Sequence, residues 1–166
     1  SKSHRVAGYR CGWMCLSGDK SRCKGYIEGL NLLSTMRLCS NVPGQSIIQT
    51  ALGGVQSADQ LLVPGGRIYE QREYIYKALN DIPGISTTRP KAAFYIFPKI
   101  DTKKFGIVDD EQFALDLLKE KHILVTHGGG FHWNQPDHFR IVYLPEVEVL
   151  KEACGKLTDF LRTYHQ

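Results

Sequence analysis

The stretch Ser1-Lys2-Ser3-His4-Arg5-Val6-Ala7-Gly8-Tyr9-Arg10-Cys11-Gly12 sets a lysine among small and polar residues and an arginine eight positions later. Gly8 and Gly12 flank that arginine on either side. A lysine amine reacts with a carbonyl only in its neutral form, which partial burial or a neighbouring cation favours. Arg10 is a candidate for that cation, and its planar fork also suits a phosphate held at two points. The two glycines let the backbone turn sharply and approach a ligand closely. A solvated basic segment is the competing account of the same spacing.

Working outward, Gly12-Trp13-Met14-Cys15-Leu16 reads as a short buried strand, closed by the turn Ser17-Gly18-Asp19-Lys20. A helix is expected over residues 21–39, with Tyr26, Leu30, Leu33 and Arg37 at helical spacing and Gly25 and Gly29 working against it. Asn41-Val42-Pro43 marks another helix start, Asn41 as its cap and Pro43 in its first turn. That helix carries Ile47, Ile48, Ala51 and Leu52 and stops at Gly53-Gly54. Pro64-Gly65-Gly66 opens a long helix through Tyr69, Arg72, Ile75, Tyr76 and Leu79, ending before Pro83-Gly84.

Composition then shifts. Ala93-Phe94-Tyr95-Ile96-Phe97-Pro98 is an aromatic strand, and Asp109-Asp110 caps a helix containing Phe113, Ala114, Leu117 and Leu118. Residues 123–126 and 139–144 read as strands on either side of a loop from His127 to His138. A last helix after Pro145 places Val149, Leu150, Ala153, Leu157 and Leu161 on one face. The expected class is therefore mixed, α/β and α+β. Helix-rich material over residues 1–81 would finish something larger, and residues 82–166 would form a small α+β unit.

A chain of 166 residues is long enough for a real core, and 42% hydrophobic with 23% charged residues is the balance of a soluble globular protein. The net charge of +4 is spread among interleaved signs, with no basic stripe and no nucleic-acid-reading motif, so nucleic acid is not an expected partner. No apolar run is long enough to span a bilayer. Five cysteines at irregular spacing favour a reducing compartment. The sequence starts without Met and inside its own opening motif, so upstream sequence is expected.

Several side-chain groups suggest sharper chemistry. Cys11, Cys15, Cys23 and Cys39 match none of the paired C-x2-4-C spacings of zinc sites, and core or surface roles are expected. His127, His132 and His138 with Asp137 fit no helix face, so no metal is expected. His127-Gly128-Gly129-Gly130-Phe131 is like an esterase oxyanion loop, but the G-x-S-x-G elbow that reading needs is absent. The glycines also lack the G-x4-G-K-[ST] context of a phosphate loop. Arg140 stands in an otherwise apolar strand, where a guanidinium is costly unless paired. Two accounts stay open for it: a salt bridge to a local carboxylate, or a bidentate clamp on a substrate carboxylate.

The opening string resembles the pyridoxal-phosphate attachment segment of the class I aminotransferases, in which S-x-S-K leads to G-x-R-x-G. Arg5 and Cys11 depart from the commonest pattern without removing a reacting group. Gly128-x-x-Phe131 followed by Phe139-Arg140-Ile141 is similar to the family's C-terminal segment, whose arginine holds the substrate α-carboxylate. Asn41-Val42-Pro43, Gln49-Thr50-Ala51-Leu52-Gly53-Gly54, Pro64-Gly65-Gly66-Arg67, Phe97-Pro98-Lys99-Ile100-Asp101 and Pro136-Asp137-His138 extend the resemblance along the chain. Together they look like the bacterial alanine (glutamate–pyruvate) aminotransferase subgroup.

The resemblance implies the C-terminal part of a fold type I pyridoxal-phosphate-dependent transferase. Residues 1–81 would be the end of the large cofactor domain with the interdomain helix, and residues 82–166 the small α+β domain. It implies that Lys2 forms a Schiff base with pyridoxal 5'-phosphate and moves the substrate proton. Arg10 would bind the cofactor phosphate, and Arg140 the carboxylate of the substrate. Tyr95 would lie near the substrate side chain or in the core. The implied reaction moves an amino group between an alanine- or glutamate-type amino acid and a 2-oxo acid, in a cytoplasmic homodimer. The family's remaining cofactor groups precede this segment, so the chain alone is expected to be inactive and to expose apolar surface. The alternatives are a lyase of the same fold and a non-catalytic module. Intact Lys2, Arg10 and Arg140 argue against the last.

Overall fold

The computed structural model describes residues 1–166. It divides into two compact units, Ser1–Ala58 and Asp59–Gln166.

In the first unit a 3-10 turn over Ala7–Tyr9 precedes α1 (Lys24–Arg37), α2 (Val42–Ser46) and α3 (Ile48–Gly53). The opening stretch is tied down by polar contacts. The Asn41 side chain caps α2 by accepting the Gly44 N–H at 3.0 Å, and its amide donates to the Tyr9 carbonyl. His4 Nε2 lies 2.7 Å from the Ala51 carbonyl oxygen, and Arg5 Nη2 donates to Ser57 Oγ at 2.8 Å. Gly44 is the unit's buried residue. Helix α1 forms despite Gly25 and Gly29 but buries nothing, and Leu33 keeps 65% of its surface. The strand expected at residues 12–16 is not there: the segment is irregular, and Trp13 is 66% exposed. An isolated strand leaves its backbone groups unpaired, and this unit offers no strand to pair with it.

The second unit holds α4 (Asp59–Leu62), α5 (Arg67–Asn80), β1 (Ile85–Ser86), β2 (Tyr95–Ile96), β3 (Lys99–Ile100), α6 (Thr102–Phe105), α7 (Asp110–Lys121), β4 (Thr126–His127), a 3-10 turn over Gly128–Phe131, β5 (Phe139–Val142) and α8 (Val147–Thr163). Strands β1 and β3 form an antiparallel pair, and β5 is the centre of a second antiparallel sheet in the order β2-β5-β4. Its register sets Tyr95 opposite Val142, Ile96 opposite Ile141, Thr126 opposite Arg140 and His127 opposite Phe139.

Alternation along β5 sends Phe139 into the core, where it meets Phe113 at 5.4 Å between ring centroids. Ile75 and Leu79 of α5, Leu117 of α7 and Leu157 and Phe160 of α8 complete that core. Helix α7 starts where the sequence indicates, with Asp109 accepting the Glu111 and Gln112 N–H groups. On α8 the buried face is Leu150, Cys154, Leu157, Phe160 and Leu161. Val149, expected on that face, is rotated off it and 52% exposed. Burial alone lifts the Cys154 thiol pKa to about 11. Strand β4 starts at Thr126, so the apolar run 123–125 lies outside the ladder, with Val125 buried and Leu124 exposed.

The two units predict different responses to truncation. Phe113→Ala should destabilise the protein by about 3–5 kcal/mol, the usual cost of emptying a buried aromatic site. Leu33→Ala on α1 should stay within about 0.5 kcal/mol. Urea unfolding of both variants checks the contrast; a large loss at Leu33 would mean that α1 is covered in solution.

Candidate functional site

Strand β5 holds Arg140 half-buried in the second unit. No carboxylate lies within ion-pair distance of it, so the local salt bridge left open by the sequence does not form. Its guanidinium carbon instead lies 4.9 Å from the Tyr95 ring centroid and 4.7 Å from that of Phe131. Its Nη2 reaches Thr126 Oγ1 at 3.4 Å, a long contact, and Nε is buried with no hydrogen-bond partner. Each ring contact is worth about 0.5–2 kcal/mol, and an unmet buried donor costs about 1–3 kcal/mol. The rings therefore hold the guanidinium without satisfying its donors. An anion in the plane of the fork would do so.

Phe131 closes the 3-10 turn that follows β4. Gly128 is required there, because a Cβ would fall 2.8 Å from the His138 carbonyl oxygen. Asp110, in the first turn of α7, accepts the Gly129 N–H at 2.7 Å, and its other oxygen lies 3.6 Å from His127 Nδ1. The far end of the loop is a cluster around Asp137, which accepts from Trp133 Nε1 at 2.8 Å and His138 Nδ1 at 2.7 Å and lies 3.4 Å from Lys99 Nζ. Phe97 stacks on His138 at 4.8 Å and meets Trp133 edge-on at 5.7 Å. Burial works to raise the Asp137 carboxyl pKa. The hydrogen bonds from His138 and Trp133 and the His138 charge outweigh it, holding the carboxyl below its ordinary range. Loop histidines thus turn to separate aspartates, and no group of three or more His, Cys, Asp or Glu side chains forms a metal donor set.

Sequence reasoning placed Tyr95 near the substrate or in the core and gave Phe131 no role beyond the loop pattern. Alternation carries the missing signal: Tyr95 pairs with Val142, which shares a face with Arg140 two residues before it.

Lys2 and Arg10 belong to the first unit, and both are exposed. The Lys2 carbonyl accepts the Arg5 N–H at 3.3 Å. Arg10 adopts a left-handed conformation at φ 47°, its N–H and Nη1 both donating to the Ala7 carbonyl. That backbone region costs a non-glycine residue roughly 1–2 kcal/mol and is typical of residues at ligand sites. A cavity of about 240 Å³ is lined by Ser3, His4, Val6, Tyr9, Ile48 and Ala51 among others, and neither Lys2 nor Arg10 is in its walls. By the chemistry of the donors, the exposed Lys2 amine and the Arg10 guanidinium would suit the aldehyde and phosphate ends of pyridoxal phosphate, while Arg5 is engaged by Ser57.

Residues 1–157 match the model of the family described as aminotransferase class I and II. The chain belongs to that family. It is 56% identical over 166 residues to the glutamate-pyruvate aminotransferase AlaA of Haemophilus influenzae, covering 100% of this chain and 41% of that one. It is 51% identical to the alanine aminotransferase of Mycobacterium tuberculosis, covering 100% of this chain and 39% of that one. An aminotransferase crystal structure from Escherichia coli superposes with a TM-score of 0.91 at 52% identity, over 99% of this chain and 41% of the other. Alanine aminotransferase from Pyrococcus furiosus gives 0.71 at 41% identity, over 81% and 33%. The mixed α/β architecture is thus that of the C-terminal part of the fold type I aminotransferases. The chain spans about two-fifths of the length of the curated relatives it matches. No helix is long and apolar enough to cross a membrane.

The Asp137 cluster makes a pH prediction. A carboxyl whose folded pKa is lowered contributes stability above its unfolded value, near 3.8, and loses it as pH falls through the folded value. Urea midpoints of the native protein and Asp137→Asn, taken from pH 6 to pH 2, should therefore differ most at the upper end and converge at the lower. A constant gap would show that the charge is not what the cluster uses.

Proposed function

We propose that the whole protein is a pyridoxal-phosphate-dependent aminotransferase that moves an amino group between an alanine- or glutamate-type amino acid and a 2-oxo acid such as pyruvate or 2-oxoglutarate. The observation that carries the reading is Arg140, a half-buried guanidinium with two ring contacts, an unpartnered Nε and no carboxylate of its own. Family membership and the names of the relatives support the reaction type.

In this reading the Arg140 fork takes both oxygens of the substrate carboxylate and so fixes where the α-carbon sits. The Tyr95 and Phe131 rings keep water from the guanidinium and strengthen that pairing. The Arg10 guanidinium pairs with the cofactor phosphate. Lys2 Nζ would hold the aldehyde end of the cofactor, and as a neutral amine would carry the proton that leaves the substrate α-carbon. Bound pyridoxal phosphate supplies the electron sink for that carbon. The same groups serve the return half-reaction with the second 2-oxo acid.

The wider assignments belong to the same proposal. A domain boundary near residues 81 and 82, with α5 as the link, describes the whole protein; within this chain α5 contributes to the core of the second unit. The exposed apolar side chains of α1 support a homodimeric whole protein in which they are covered. The 166-residue chain, about two-fifths of its relatives' length, would be inactive alone for want of the family's other cofactor groups. Five free cysteines suit a cytoplasmic setting.

Borohydride reduction after pyridoxal-phosphate titration, followed by peptide mapping, tests the assignment directly. In the full-length protein the adduct should fall on Lys2, and Lys2→Ala should lower turnover by about a thousandfold or more. Labelling scattered over surface lysines would overturn the role of Lys2. Arg140→Lys should raise KM for amino acids by about tenfold or more, since a point charge replaces a fork.

A further inference from the structure

Helix α7 begins with two aspartates that do different work. Asp109 caps the helix, taking the Glu111 and Gln112 N–H groups on one oxygen. Asp110 is therefore released from capping and turns out toward the loop after β4. Its Oδ2 accepts the Gly129 N–H at 2.7 Å, while Oδ1 faces His127 Nδ1, a nitrogen with no hydrogen-bond partner. The turn is wrapped on this carboxylate: a Cβ at Gly128 would stand 3.4 Å from Oδ2, and one at Gly129 would stand 3.3 Å from Oδ1. Two residues beyond Gly129, the same turn delivers the Phe131 ring to Arg140.

The register makes the connection short. Thr126, whose hydroxyl touches Arg140, is its cross-strand partner, and the turn starts one residue after His127. Asp110 is the carboxylate that meets this turn, and it forms no ion pair with Arg140. Here it is spent on a backbone N–H and a histidine, and Arg140 keeps its fork.

We propose that Asp110 is a positioning residue for the Arg140 site: its carboxylate fixes the Gly128–Phe131 turn, the turn lays Phe131 on the guanidinium, and the guanidinium is thereby held ready for a substrate carboxylate. The inference rests on the reading of Arg140 as the carboxylate clamp. Asp110 itself touches no substrate. Phe97, between β2 and β3, meets the Phe131 ring edge-on at 6.2 Å and the Trp133 ring at 5.7 Å, and so braces the same ring from alongside the turn.

The test uses the full-length protein and four variants: Asp110→Ala, Asp110→Asn, Phe131→Leu and Arg140→Lys. Two readouts are taken, the split between KM and kcat for alanine and the direct binding of propionate, a carboxylate with no amino group, by calorimetry. Asp110→Ala should weaken propionate binding and raise KM about tenfold, the size of one lost charge-assisted hydrogen bond, with kcat little changed. Asp110→Asn keeps an acceptor for the Gly129 N–H and should restore most of that loss. Phe131→Leu, at a side chain 45% exposed, should fold and show the same KM effect even if Asp110→Ala does not fold. A merely structural role would lower the amount of active protein and leave KM and propionate affinity where they were. If Arg140→Lys weakens propionate while the Asp110 and Phe131 variants do not, the positioning role is overturned and the clamp stands. If Arg140→Lys also leaves propionate binding unchanged, the clamp fails and this inference with it.

Discussion

A guanidinium cannot lose its charge at any ordinary pH, so wherever the chain half-buries one, something must meet its donors. Strand β5 places Arg140 in that position, and the surroundings of the second unit follow from how the demand is handled. Strand alternation keeps Arg140 off the core face that Phe139 fills. Two aromatic rings approach it, which confines the cation at modest gain and leaves Nε unmet. The residual cost is of the same order as the ring contacts, so the arrangement is stable without being satisfied.

The two carboxylates that meet the loop between β4 and β5 form no ion pair with Arg140. Asp110 is held by a backbone N–H and His127, and Asp137 by Trp133, His138 and Lys99. Asp110 meets the loop where it leaves β4, and Asp137 lies where it enters β5. A loop built from three successive glycines would otherwise be loose. Its order comes from side chains at its two ends together with backbone bonds, Gly128 N–H to the His138 carbonyl at 2.8 Å and His132 N–H to the Gly129 carbonyl at 2.9 Å.

This explains what was legible in the sequence and what was not. Caps are local, so Asn41 and Asp109 announced the starts of α2 and α7, and the Pro83-Gly84 stop of α5 was equally plain. The single helix expected from Asn41 to Gly53 is instead broken at Ile47 into α2 and α3. The apolar periodicity of α8 gave Leu150, Leu157 and Leu161 of its core face but placed the exposed Val149 there and missed Cys154 and Phe160. Strands fared worse because strand status depends on a partner. Residues 12–16 have the composition of a strand and no neighbour to pair with, while β1 and β3 are only two residues each and exist because they pair. Arg140 stood out as a charged residue in an apolar run. Its ring contacts depend on a register that brings residues 95, 126 and 131 to residue 140, and no local pattern encodes that.

The two units differ in how far their chemistry is prepared by their own folding. In the second, helices α5, α7 and α8 close a core on the sheet, and that core fixes β5, hence Arg140, within the chain's own means. In the first, Gly44 is the buried residue, Lys2 and Arg10 face solvent, and the side chains of α1 have no cover. An amine gains nucleophilic character from desolvation, and a phosphate-binding arginine gains strength from a low-dielectric setting. Neither is supplied at residues 1–12 by the unit that contains them. The opening segment is thus the one whose proposed chemistry its own unit prepares least, whereas the arginine in the strand brings its environment with it. Arg10 shows the intermediate case: its left-handed backbone is already set, with the guanidinium resting on the Ala7 carbonyl, a weak partner that a phosphate oxygen would displace at little cost.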